Sequence, residues 1–243
     1  MNLFKLLLLT FLLSSSLLAL EDDNFLEDEF GEPMSYESYD PLKSYNIQMT
    51  KFNDFVYMQV FNPISKMYTK ITPKKVRVCI SNFFYNLAFP VRFINNILQL
   101  KIRNSIEESA RFAINSTYGL GGFFDLATNE ANLKKHNEDF GQTLGFYEIK
   151  NGVYIVLPLL GPSNLRDSFG LLVDYGLNPL NYSAIRDGYN LSRSSYNLMS
   201  GYNYLNEFSL HIKEYESIRK DSIDLYILLK NMYDQRREKL IKE

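Results

Sequence analysis

Proline stands at positions 41, 63, 73 and 90, and between these positions apolar residues recur every three to four residues. Inside a helix a proline removes a backbone donor and clashes with the preceding turn, at roughly 3 kcal/mol; in the first turn it costs nothing. The first half of the chain is therefore read as short helical rods of about 10–18 residues, each opened by a proline. Asp40-Pro41 opens the first, with Tyr45, Met49, Phe52 and Val56 on one face. Pro63 ends that rod and starts the next (ISKMYTKIT). After Pro73 the stripe is Val76, Cys79 or Ile80, Phe83 and Leu87, and Pro90 opens Val91, Ile94, Ile97 or Leu98, and Ile102. A further helical pattern covers about 104–114.

The centre is glycine-rich. GLGGFFD (119–125) is a break, and 138–167 holds several more glycines and prolines. Within it, FYEIKNGVYIVL predicts a β-hairpin turning at Asn151-Gly152, because both positions tolerate positive φ. Residues 168–179 predict a short helix broken at Gly176, with Asn164, Arg166 and Asp167 forming a polar turn at its start. Long helices close the chain, with Tyr204, Phe208, Ile212 and Tyr215 on one face. The expected fold class is mainly α, with one Gly-flanked hairpin-like loop.

Residues 1–20 (MNLFKLLLLTFLLSSSLLAL) carry Lys5, then an apolar run, then small residues: the pattern of a secretory signal peptide, cleaved after Ala19 or Leu20. The apolar run is shorter than the ~20 residues of a spanning helix, and no later stretch is apolar enough to be one. An exported protein of the bacterial periplasm or outer membrane is expected. Residues 21–39 read as a disordered acidic arm, since 21–32 hold seven acidic and no basic residues. Residues 40–243 read as one helical domain. From residue 33 onward 25 basic residues face 21 acidic ones, too mild a balance for a nucleic-acid footprint.

Catalytic chemistry finds little support. GLGG lacks the Gly-Lys-Ser/Thr end of a phosphate loop. No G-x-S-x-G elbow exists, and the histidines, His136 and His211, lie in a polar loop and mid-helix. The single cysteine, Cys79, excludes an intramolecular disulfide and a multi-cysteine zinc site; on its apolar stripe it reads as a small buried hydrophobe. Asp125, Asp139, Asp167 and Asp174 could pair for acid/base work, but helix caps or arginine partners account for them better. No enzyme and no cofactor is expected. The asparagines of the helices (Asn82, Asn86, Asn95, Asn96, Asn115) make an uncharged polar face, which either lines a channel or satisfies buried backbone groups. The 18 Tyr and 18 Phe without Trp suit an aromatic core or a membrane interface.

Several segments together, RFAINSTYGLGGFFDLA (111–127), EDFGQTLGFY (138–147) and GVYIVLPLLGPSNLRDSFGLLVD (152–174), with DPLKSYN, NPISKMY, residues 73–99 and the tail LYILLKNMYDQRREKLI, resemble the MlaA/VacJ family of outer-membrane phospholipid-transport proteins. The resemblance implies a ring-like arrangement of short amphipathic helices in the periplasmic leaflet of the outer membrane. It implies a central amphipathic channel that takes mislocalised phospholipid from the outer leaflet, passes it to a periplasmic lipid carrier and maintains lipid asymmetry. A trimeric porin is the implied membrane partner. Members are typically lipoproteins; here no cysteine follows the apolar run, so an apolar rim must hold the protein in place. On this reading Asn115, Gly119, Gly121, Gly122 and Asp125 support the channel. Gly145, Phe146, Tyr147, Asn151 and Gly152 form a moving gate, because glycine absorbs large backbone changes. Two alternatives stand beside it: a porin-docking structural protein without its own conduit, and a soluble periplasmic enzyme using Asp139 or Asp167 with His136.

Overall fold

A computed structural model describes residues 40–181 and 193–243. The expected signal peptide and acidic arm lie outside the described residues. The elements are α1 (Lys43–Val56), a π-helical segment (Tyr57–Phe61), α2 (Asn62–Ile71), α3 (Lys74–Leu87), α4 (Phe89–Leu98), α5 (Ile102–Thr117), α6 (Leu126–Asn129), α7 (Phe140–Phe146), β1 (Tyr154–Leu157), β2 (Gly161–Asn164), α8 (Leu165–Leu177), a 3₁₀ turn (Pro179–Asn181), α9 (Arg193–Asp221) and α10 (Leu225–Lys242). The fold is mainly α, with one two-stranded antiparallel sheet.

Prolines place several helix starts as expected. Pro73 is the N-cap of α3, and Pro90 falls in the first turn of α4. Two differ. The first helix begins at Lys43, past Pro41, where Asp40 accepts the Leu42 amide at 3.0 Å. Pro63 does not end a rod: the helix runs on from Lys43 to Ile71. The π-helical turn Tyr57–Phe61 lies directly ahead of it, with the Asn62 amide reaching back five residues to the Tyr57 carbonyl. That wider turn accommodates a residue that lacks a donor and crowds the preceding turn.

The hairpin exists but is displaced. Tyr154 pairs with Asn164 and Leu157 with Gly161, so the turn is Pro158-Leu159-Leu160 rather than Asn151-Gly152. Leu159 takes a positive φ of 64°, and tertiary bonds hold it there: its amide donates to Asn53 Oδ1 at 2.7 Å, and its carbonyl accepts from Tyr57 and Tyr204 hydroxyls. The helix expected from residue 168 starts three residues earlier and passes Gly176, ending at Leu177.

The larger finding is which face of each helix is buried. On α1 the buried residues are Asn46, Thr50 and Asn53, while Tyr45 and Phe52 are exposed. On α3 they are Arg77, Phe84 and Asn86, with Val76 exposed and Cys79 only half-buried. On α5 they are Ser105, Glu108, Arg111 and Asn115. The three-to-four residue period says which residues share a face; on these helices asparagine, arginine and glutamate occupy the inside. Asn95, Asn96 and Glu108 have no solvent exposure, whereas Met67 is 70% exposed and Ile71 81%. On α9 three residues of the apolar stripe, Tyr204, Phe208 and Ile212, are buried.

Packing closes a circuit. The Lys43–Ile71 rod meets β1, β2 packs on α8, α8 on α7, α7 on α4, α4 on α3, α3 on α9, and α9 returns to α2. α10 lies across it against α7, α1 and β2. Among the described residues no helix is long and apolar enough to cross a membrane.

Candidate functional site

The five residues expected to support a channel fall in one unit, the turn between α5 and α6. Asp125 caps α6 through the Thr128 amide and receives both Arg111 Nη2 contacts, at 3.0 and 2.9 Å. Asn115 donates to Asp125 Oδ1 at 2.9 Å and accepts the Ala127 amide. Burial raises the Asp125 carboxyl, but bonds from Asn115 and Thr128 and the Arg111 charge outweigh it and hold the group at about 2. Arg111 continues into a chain of alternating charges: Glu108 lies 3.6 Å from its Nε and 2.8 Å from Arg92 Nε. Arg92 in turn sits 3.6 Å over the Tyr85 ring. Two arginines and two carboxylates cancel, so the spine places no net charge in the interior. That is the condition under which buried ions are tolerated.

The glycines explain the shape of the turn. Gly122 has φ +103°, and a Cβ there would stand 2.4 Å from Asn86 Cβ; Gly119 would meet the Phe124 carbonyl at 2.3 Å. Gly121, also at positive φ, faces open space. Asn86 ties the turn to α3 by donating to the Gly121 carbonyl and to Ser116. The turn thereby lays Phe123 on Phe83, ring centroids 4.8 Å apart. Between the turn and α3 opens a cavity of about 560 Å³ walled by Val78, Cys79, Phe123, Phe124 and Leu126. Lys74 and Lys75 stand on it too, with Asn82, Asn129 and Asp125.

The residues expected as a gate do not form a hairpin. Gly145 is near the end of α7, where a Cβ would meet Ile241 of α10 at 2.6 Å. Phe146 and Tyr147 are exposed and pack edge to face, and Tyr147 donates to the Leu98 carbonyl at 2.7 Å. Gly152 does take positive φ, and Asn151 accepts the Arg166 amide, so 147–153 is an exposed loop tied at both ends.

A second polar hub gives Asp139 and Asp167 the helix cap and arginine partners expected for them, partly through an arginine that the sequence reading did not single out. Arg237 of α10 bridges Asp139 (2.6 and 3.0 Å) and Asp167 (2.8 Å), and Arg166 and Tyr233 also bond Asp167. Asp139 and Gln142 make a reciprocal capping box on α7. Gly170 of α8 allows the Gly141 backbone to approach within 2.4 Å of where a Cβ would be. Asp174 accepts the Phe140 amide and Asn95 Nδ2; burial first, then the charge of Asp139, pushes it up to about 7. His136 pairs with Glu107 at 2.8 Å and not with Asp139 or Asp167, so the grouping that the enzyme alternative requires does not assemble. Among the described residues no cluster of three His, Cys, Asp or Glu is placed to hold a metal. The signal for the α5 spine was available in Ser105, Glu108, Arg111 and Asn115 at helical spacing; nothing local announced Arg237.

The asparagines settle mainly as backbone staples. Asn46 donates to the Tyr154 carbonyl and accepts the Val156 amide, and Asn53 does the same for Leu157 and Leu159. Asn95 and Asn96 bond carbonyls one turn back.

Comparison with known proteins agrees with this architecture. A protein of Rickettsia prowazekii is 34% identical over 152 residues, 62% of this chain and 60% of that protein. The intermembrane phospholipid transport system lipoprotein MlaA of Escherichia coli is 30% identical over 205 residues, covering 82% of this chain and 77% of that protein. A solved structure described as the structural basis for maintenance of bacterial outer membrane lipid asymmetry superposes with a TM-score of 0.67 at 26% identity, over 84% of this chain and all of that one. The MlaA lipoprotein family model matches residues 38–240, and with the polar spine, the glycine turn and the closed helical circuit in place, the chain belongs to the MlaA lipoprotein family.

Proposed function

We propose that this chain is an outer-membrane phospholipid-transport component: it takes phospholipid mislocalised in the outer leaflet through an amphipathic path and hands it to a periplasmic carrier, keeping the membrane asymmetric. One observation carries the reading. α1, α5 and α8 bury mainly polar residues and expose apolar ones, which is the arrangement favoured when the outside is acyl chain rather than water. Phe55, Met67, Ile71, Ile106, Leu120 and Leu172 form part of that exposed apolar surface. The protein would lie in the periplasmic leaflet, exported by residues 1–20, with a trimeric porin as its membrane neighbour. The Asn115–Asp125 turn would brace the path, and the segment from Gly145 at the end of α7 through the loop to Gly152, latched by Tyr147 on Leu98, would move at its edge. No chemical step is required, because lipid asymmetry and the carrier supply the direction.

The test is genetic. Deleting the gene should raise outer-leaflet phospholipid and detergent sensitivity, and the wild-type gene should restore both. An unchanged outer leaflet in the deletion strain would overturn the reading.

A further inference from the structure

The cavity between α3 and the Gly119–Asp125 turn has two unlike parts. Its walls, from Val78, Cys79, Phe123, Phe124 and Leu126, are apolar, and its volume of about 560 Å³ is that of a small-molecule site. Lys74 and Lys75, both exposed, line it from the first turn of α3. That turn contains no acidic residue and its N-cap offers no side-chain acceptor. Among the described residues neither lysine has a carboxylate partner. The cavity's own carboxylate, Asp125, is already committed to Arg111 through two contacts, with Lys135 3.8 Å away. Two ammonium groups beside a helix start add to the positive end of its dipole instead of offsetting it, an arrangement that favours an anion. The result is an apolar recess whose charged edge is positive and uncompensated.

We propose that this cavity seats an acyl chain of a phospholipid whose headgroup carries net negative charge, with Lys74 and Lys75 selecting that headgroup over a zwitterionic one. The proposal rests on the phospholipid-transport reading and adds to it a site and a headgroup class. Charge complementarity assigns the occupant: a neutral apolar ligand would leave the lysines without a counterion, and a free anion would leave the apolar walls uncovered.

The full-length protein in detergent would be equilibrated with an equimolar mixture of phosphatidylglycerol and phosphatidylethanolamine of matched chains, and the retained lipid quantified. Wild type should retain phosphatidylglycerol in preference. Lys74→Gln/Lys75→Gln should reduce that preference about thirtyfold, since each lysine near an anionic lipid surface contributes about 1 kcal/mol, while still retaining phosphatidylethanolamine. Lys43→Gln/Lys51→Gln, at the other end of the Lys43–Ile71 rod, should keep the preference. Cys79, the single cysteine of the chain, reports on the cavity itself: phosphatidylglycerol should slow its maleimide labelling in wild type and do so less in the Lys74/Lys75 variant. Equal retention of both lipids by wild type, survival of the preference in the Lys74/Lys75 variant, its loss in the Lys43/Lys51 variant, or unprotected Cys79 would each overturn the proposal. Failure of wild type to retain any phospholipid would overturn the transport reading as well, whereas retention without preference removes only the headgroup assignment.

Discussion

An alanine at position 122 would bring its Cβ to 2.4 Å from Asn86 Cβ at a backbone φ of +103°. Both the left-handed backbone and the overlap oppose it, at about 2–5 kcal/mol together. Gly122→Ala should lower the melting temperature in detergent, whereas Gly121→Ala, facing open space, should suffer only the backbone strain and lose less. The ionised groups make opposite demands. Asp125, held at about 2, contributes stability that is complete above about 4 and lost as pH falls toward 2. Asp174, raised to about 7, does the reverse: the folded chain keeps a proton that the unfolded chain releases. Its contribution is complete below about 4 and disappears as pH rises through 7. Burial raises Glu138 and Asp234 in the same direction. The protein should therefore melt several degrees higher at pH 5 than at pH 8. Asp174→Asn should narrow that difference without closing it; an unchanged difference would show that Asp174 is ionised in the fold.

Elements are joined here by asparagine rather than by oil. Asn46 and Asn53 stand two turns apart on α1 and each grips both a donor and an acceptor of the hairpin backbone. Replacing either with alanine orphans two buried backbone groups, at about 1–3 kcal/mol each. Hydrogen exchange should then quicken at the Val156 amide in Asn46→Ala and at the Leu159 amide in Asn53→Ala, each variant leaving the other amide nearly as protected as before. The same contacts explain how much was legible in the sequence. Proline positions and the three-to-four residue period located most helices, because those signals are local. Asn151-Gly152 looked like the turn because its chemistry is local too. The turn that formed uses Leu159, a residue disfavoured at positive φ, and it is imposed by Asn53, Tyr57 and Tyr204 from more than 40 residues away in the chain. Arg237 is the counterpart at the candidate site: its role depends on α10 reaching Asp139 and Asp167 across the fold. The glycine turn was legible because GLGG is a local break, and Asp125 because its partners Arg111, Asn115 and Thr128 are near it in sequence; the turn's contacts with Asn86 and Phe83 were not.

At the scale of the whole molecule, the three-to-four residue period left open which stripe of each helix is hidden, and on α1 and α5 it is the polar one. A period says which residues share a face, and the solvent decides which face is hidden. Lysine at an outward position such as Phe55, Met67 or Ile71 should therefore leave the detergent melting temperature nearly unchanged, as nothing in the interior is disturbed. Facing acyl chains, each such lysine costs up to about 3 kcal/mol at depth. Phe55→Lys/Ile71→Lys should shift the protein from the membrane pellet toward the carbonate-washed supernatant; retention in the pellet with full strength would argue that this face meets something other than lipid.

The buried polar spine has a calorimetric corollary. Exposing hydrocarbon to water raises heat capacity, and exposing amides and ions lowers it. A chain that conceals Asn95, Asn96, Glu108 and Arg111 while leaving Met67 and Ile71 uncovered gains little heat capacity on melting. Its stability curve is accordingly shallow, and chilling loosens it less than it would a water-soluble protein of equal length.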